Sequence, residues 1–147
     1  MKLMNDFMQQ AILQAKLSQK DIPVGAIIVK DGEIIAGAYN LKEENNDITS
    51  HAEIIALKQA SQKLNNWRLE DCDMYVTLEP CPMCGWAIIQ SRIKNLYFGS
   101  YDNKYGAFSS EIDLRKISNY PTNIYGGILE EECNLILKNF FEKTRKE

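Results

Sequence analysis

Histidine is nearly absent from this chain: His51 is the single one among 147 residues. Proline (4) and glycine (8) are also scarce, which excludes collagen-like and Pro/Gly-rich low-complexity architectures. No stretch approaches the roughly 18 apolar residues of a membrane span, so no membrane association is expected. The opening segment "MKLMNDFMQQAILQAKLSQK" breaks its apolar positions with Asp6, Gln9, Gln10 and Gln14. It has no small-residue cleavage site, which argues against a secretory leader and makes the cytoplasm the expected location. A basic excess is missing too: 17 Lys and Arg face 20 Asp and Glu, a net charge of −3. The chain therefore lacks the overall positive footprint of a nucleic-acid binder. Only the tail "KNFFEKTRKE" is locally basic, with Lys138, Lys143, Arg145 and Lys146 against Glu142 and Glu147. Repeats and linkers are not evident, and the length suits one compact domain over 1–147.

Cysteine is present four times, as Cys72, Cys81, Cys84 and Cys133. Thiols stay reduced in the cytosol, so a disulfide framework is not expected. The close pair Cys81-Pro-Met-Cys84 points instead to metal binding or redox chemistry. Cys72 and Cys133 have no near partner and read as buried structural thiols.

Periodicity divides the chain into alternating elements. Met4, Met8, Ala11, Ile12 and Ala15 recur at helical spacing over 2–19. "PVGAIIVKDGEIIAGAY" is two apolar runs around Asp31-Gly32, a strong hairpin signal. "NLKEENNDITS" reads as a loop, "HAEIIALKQASQKL" as a helix, and "DMYVTL" as a strand. "PMCGWAIIQSR" is a helix opened by Pro82, a residue suited to the first helical position. "KNLYFGS" is another strand. Residues 101–123 read mostly as loop, with a short helix near 109–116. The closing segment is helical, with Ile128, Leu129, Leu135, Ile136, Phe140 and Phe141 as candidates for its buried face. This order predicts a three-layer α/β/α sandwich.

The chemistry is concentrated in two short stretches, "TSHAEIIAL" and "EPCPMCGWAII". Zinc favours nitrogen and sulfur donors in tetrahedral geometry, and a catalytic zinc takes three protein ligands and leaves one position to water. His51, Cys81 and Cys84 supply three such donors. Both stretches open helices, where unpaired backbone N–H groups lower a thiol's pKa and favour thiolate ligands. Glu53 is then placed as a proton shuttle beside the metal, not as a ligand. Other readings stay open at this level. Ser50-x-x-Glu53 fits a helix-capping box, Cys-x-x-Cys fits a thiol oxidoreductase, and a fourth protein ligand would make the metal purely structural.

His-x-Glu followed by Pro-Cys-x-x-Cys is also the signature of zinc-dependent nucleobase deaminases. "DIPVGAIIV", "AYN", "NDITSHAEI", "YVTLEPCPMCGWAIIQSRI", "FGSYDNKYGA" and "GILEEECNLILKNFFEK" resemble the bacterial tRNA-specific adenosine deaminases over about residues 5–145. That resemblance implies a single zinc-dependent deaminase domain with a cytidine deaminase-like, five-stranded mixed sheet. It implies hydrolytic conversion of adenosine to inosine at the wobble position of tRNA, with one zinc per chain and a homodimer that binds the anticodon stem-loop. By position, His51, Cys81 and Cys84 match the zinc ligands and Glu53 the catalytic shuttle. Asn40, Ala52, Asp102, Phe140 and Phe141 match substrate-binding positions. The alternative is a deaminase of a free base or nucleotide, of guanine or cytosine type, on the same fold. For an RNA partner the acidic loop "KEENND" should face away from the phosphates.

Overall fold

The computed structural model describes residues 2–146; Met1 and Glu147, the outermost residues of the expected domain, lie outside it. Five strands form one mixed sheet in the order β2-β1-β3-β4-β5. They are β1 (Gly25–Lys30), β2 (Glu33–Tyr39), β3 (Cys72–Leu78), β4 (Asn95–Ser100) and β5 (Asn123–Tyr125). β1 runs antiparallel to β2 and β3, while β3, β4 and β5 run parallel. The β1–β2 hairpin turns at Asp31 and Gly32, whose φ angles of 52° and 76° suit the tight turn expected there.

Helices cover both faces, as the three-layer reading requires. α2 (Ala52–Leu64) and α3 (Pro82–Gln90) bury Ala56, Leu57, Ala60, Ile88 and Ile89 against Ile28, Met74, Val76 and Leu96. α1 (Lys2–Ala15) and α4 (Glu130–Lys146) cover the other face. There Met8, Ala11, Ile12 and Cys133 meet Ile27, Val29 and Tyr75. Each strand residue thus alternates between two dry layers, which is why β1 and β3 are almost continuously apolar. Among the described residues no helix is long and apolar enough to cross a membrane. Ile88 is fully buried where α3 meets the sheet. Ile88→Ala is expected to destabilise the fold by about 2–5 kcal/mol, read as a lower urea midpoint at unchanged slope.

Four expectations need correction. α1 stops at Ala15, not residue 19. The amides of Leu17 and Ser18 bond three residues back, to Gln14 and Ala15, and the Ser18 hydroxyl donates to the Asp21 carbonyl, so the chain tightens and turns. The helix near 109–116 is one 3-10 turn at Leu114–Lys116. β5 begins at Asn123, the last residue of the segment that reads mostly as loop; three residues are too few to show a period of their own, and they are strand because β4 pairs with them. In α4, Leu135 and Phe141 are 55% and 45% exposed and are not on the buried face. That helix packs through a narrow stripe, with Cys133 buried and Ile136 beside it, while Ile128 and Leu129 reach the core from just before its start. Cys72 and Cys133 are buried free thiols, as expected.

Candidate metal centre and substrate cleft

Several loops meet at one edge of the sheet. β2, β3 and β4 end there and β1 begins there, because β1 is antiparallel to its neighbours. The N-termini of α2 and α3 open at the same edge, since each helix follows a strand that ends there. Active sites in open α/β sheets form at such places because loop residues converge there from separate strands.

The helix starts place the donors. His51 is the N-cap of α2, with extended backbone at φ −76° and ψ 150°. Ser50 was expected in that position, but its hydroxyl is taken by the preceding loop: it donates to Asp47 Oδ2 at 3.0 Å and accepts from Asn45 Nδ2 at 3.3 Å. The capping-box reading therefore falls. Cys81 caps α3 in the same extended conformation, Pro82 follows at its first turn, and Cys84 is fully buried one turn in. His51 Nδ1 lies 3.8 Å from Cys81 Sγ and 3.4 Å from Cys84 Sγ. All donor atoms of this trio lie within 4.8 Å of one another.

The spacing can be tested against a metal. On a tetrahedral zinc, with sulfur at about 2.3 Å and nitrogen at about 2.0–2.1 Å, neighbouring donors sit about 3.6 Å apart. The observed separations bracket that value, and one imidazole with two thiols is a zinc-type donor set, so these residues fit the ion. Among the described residues the group has three members and no fourth His, Cys, Asp or Glu. A closed structural site, which needs a fourth protein donor, is thereby disfavoured.

Electrostatics in the trio follow from mutual contact. The Cys84 thiol, donating to Cys81, holds the Cys81 thiol down at about 4, and His51 adds to the effect. Cys84 in turn is pushed far up, by the same contact and by burial. His51 is raised by its contact with Cys81. A bound cation inverts this pattern, leaving the imidazole neutral and both sulfurs as thiolates. Burial pushes the Glu53 carboxyl up to about 7; it is only 4% exposed.

Glu53 is two residues past His51, and on a continuous helix the two would point about 200° apart. The extended backbone of His51 removes that conflict, and both line one cleft of about 260 Å³ with Asn40, Cys81, Asp102 and Tyr105. A larger groove, about 470 Å³ between α1 and α4, is lined by Ile12, Leu13, Leu135 and Ile136 and offers no imidazole or sulfur. Asn40 donates from Nδ2 to the Ile22 carbonyl at 3.2 Å, while its buried Oδ1 has no partner among the described residues. Asp102 Oδ1 accepts from the backbone N–H groups of Lys104 and Tyr105, at 3.2 and 2.9 Å. Ala52 is fully buried in the main core at the first position of α2. Phe140 and Phe141 pack edge-to-face at 5.4 Å near the end of α4 and do not line the cleft.

Some cleft residues were not foreseen. Lys42 lines it, so the acidic loop begins at the cleft and does not lie wholly away from it. Tyr105 lines it as well, 62% exposed, with Lys104 Nζ 5.2 Å from its ring centre. Glu79 is the largest omission. It is 2% exposed, and its two oxygens accept from the amides of Asp102 (3.0 Å), Phe108 (3.0 Å) and Ser109 (2.9 Å) and from the Ser109 hydroxyl. A glutamate directly before Pro-Cys was the only available signal, and it names no partner.

Comparison with known proteins agrees with this geometry. The family model described as MafB19-like deaminase matches residues 3–145. The chain is 40% identical over 144 residues to the tRNA-specific adenosine deaminase of Bacillus subtilis, covering 95% of this chain and 89% of that one. A structure solved in a study of A-to-I editing by tRNA:A34 deaminases at the wobble position superposes with a TM-score of 0.87. That structure is 39% identical, with 90% of this chain and 99% of the other covered. The guanine deaminase of Bacillus subtilis gives a TM-score of 0.62 at 39% identity, covering 65% of this chain and 63% of its own. The fold is thus the cytidine deaminase-like sandwich, and the chain belongs to the tRNA-specific adenosine deaminase family.

Proposed function

We propose that this protein hydrolyses adenosine to inosine at the wobble position of a tRNA anticodon, as a single domain carrying one zinc. The observation that carries this reading is the trio of His51, Cys81 and Cys84, two of whose members, His51 and Cys81, line one cleft with the buried carboxylate of Glu53. Zinc, when bound, supplies the Lewis acidity that lets a water lose its proton near neutral pH.

The chain's own residues do the rest. Glu53 takes one proton from water and delivers it to N1 of the adenine as the water oxygen adds at C6; it then carries the remaining hydroxyl proton to the amine, so that the C–N bond breaks, ammonia leaves and a C6 carbonyl remains. Burial shields the carboxylate from bulk solvent, so the proton is passed within the cleft. The unpaired Oδ1 of Asn40 and the second hydrogen of its amide offer an acceptor and a donor to a purine edge. Asp102 has one oxygen without a partner among the described residues, available to a neighbouring sugar hydroxyl, while the other is held in its own turn.

A cleft of about 260 Å³ is just below the roughly 300–1,000 Å³ of drug-sized pockets. It suits one nucleoside turned out of a single-stranded loop, with the rest of the RNA outside. Lys42 and Lys104 at the mouth give the acidic chain a local positive rim for the flanking phosphates. Phe140 and Phe141 then serve the RNA outside the cleft, where Phe141 is 45% exposed, and Ala52 contributes through its backbone at the start of α2. The working form is a cytoplasmic homodimer, as the sequence resemblance implies.

The deciding experiment supplies the zinc-loaded protein with a tRNA bearing adenosine at the wobble position and, separately, with free adenosine, cytidine and guanine. Inosine in the tRNA, with negligible conversion of the free compounds, is the expected result. Turnover of free guanine alone would replace this reading with a guanine deaminase.

A further inference from the structure

We infer that Glu79 is a positioning residue: it straps the segment 101–109 to the end of β3 and so holds the outer wall of the cleft in place for the substrate. This rests on the cleft being the substrate site, whichever purine it takes.

The geometry is specific. Glu79 stands between the last residue of β3 and Pro80-Cys81, and its own amide bonds to the Ser100 carbonyl at 2.8 Å. Its carboxyl turns into the concave side of the loop that follows β4. Three amides and one hydroxyl converge on its two oxygens, from both ends of that loop. Among the described residues it has no ion-pair partner, so three backbone amides and the Ser109 hydroxyl satisfy it. The loop is shaped around it: a methyl group at Gly106 would collide with the Glu79 carboxyl and with the Asp102 carbonyl. Ala107 N donates to the Pro80 carbonyl at 2.9 Å, which ties the same loop to the residue before Cys81.

The loop has little else to hold it at its tip. Lys104 and Tyr105 are exposed, and apart from their turn onto Asp102 no hydrogen bond among the described residues fixes them. Asp102 and Tyr105 therefore depend on the anchors at the base of the loop, where Glu79 accepts four hydrogen bonds beside the Ala107–Pro80 contact and the buried Ala107 and Phe108. The zinc-type trio and Glu53 are placed independently, by the starts of α2 and α3. Loss of the strap should therefore weaken substrate binding and leave the chemical centre intact.

Glu79→Gln tests this, because an amide nitrogen donates and cannot accept, so part of the loop's donors lose their acceptor. The comparison uses whichever purine substrate the wild-type protein turns over. In the variant KM should rise at least about tenfold with kcat within about threefold, the split expected when binding and not chemistry is lost. Metal content should not change. Trypsin should cut after Lys104 at least about tenfold faster, while sites on the helices keep wild-type rates. A residue that only stabilises the fold would give the opposite pattern: KM unchanged, kcat reduced with the folded fraction, and cleavage faster everywhere. That pattern, or loss of the metal, overturns the proposal. Should Glu79→Gln not fold, Ser109→Ala removes only the hydroxyl donor of an exposed residue. A KM rise of about threefold with faster cleavage at Lys104 then supports the strap, and wild-type values for both refute it. An inactive wild-type protein on tRNA would sink the proposed substrate, whereas an unchanged KM in these variants would sink only the strap.

Discussion

Glu53→Ala is expected to slow deamination by about 10³-fold or more while the zinc stays bound. The two halves of this result come from different parts of the site. Metal retention follows because Glu53 is outside the donor trio, whose three atoms come from His51, Cys81 and Cys84. The loss of rate follows because the cleft has no spare carboxylate. Its other acidic residues are Glu79, whose oxygens both accept from the 101–109 loop, and Asp102, which is half committed to its own turn. Water alone would then have to carry the proton between nucleophile, ring nitrogen and leaving amine. Glu53→Gln is the stricter version, since it preserves the volume of a side chain only 4% exposed and keeps the packing around it. Metal analysis together with single-turnover inosine formation reads both halves. Near-normal turnover in either variant would remove Glu53 from its role.

Cys84→Ala should behave in the reverse order, losing the metal first and activity as a consequence. Removing one of the three donors leaves an imidazole and a single sulfur, and zinc should fall from about one per chain to near zero on dialysis. Deamination should fall below detection, because nothing else in the cleft acidifies water; unassisted water has a pKa of about 15.7. The fold should survive. Cys84 is a small, fully buried side chain, and alanine leaves little void in its place. Metal binding contributes to the stability of the native state alone, so Cys84→Ala and chelated wild-type protein should unfold at about the same urea concentration, both below the zinc-loaded wild type. A variant with full zinc and full activity would refute the trio as the metal site. A disulfide between Cys81 and Cys84 in the active protein would do the same, since neither sulfur could then bind as a thiolate.

Legibility in the sequence tracked the distance over which each interaction acts. The donor trio and Glu53 could be read because each half is a helix start, and helix starts are written in consecutive residues: Pro82 at the first turn of α3, His51 and Cys81 as the residues just before a helix. The Asp31-Gly32 hairpin was readable for the same reason. Local reading failed where a neighbour in space competed. Ser50 is as good a capping residue as any by type, but Asp47 and Asn45 engage its hydroxyl and the cap passes to His51. Leu135 adjoins Ile136 in sequence, but neighbouring residues point about 100° apart on a helix, and the stripe of α4 that meets the sheet is too narrow to include both.

Residue types and their spacing were enough to predict the α/β/α layering and to single out His51, Cys81, Cys84 and Glu53 as one candidate site, because each depends on a pattern a few residues long. Folding in three dimensions settled everything else: β5 as a strand, Lys42 and Tyr105 in the cleft wall, and Glu79 as the hub beneath it. Glu79 meets its partners 23 to 30 positions further along the chain. A contact across that separation leaves no periodicity to detect, and it comes into being only when the parallel pairing of β3 with β4 brings their two ends to the same edge.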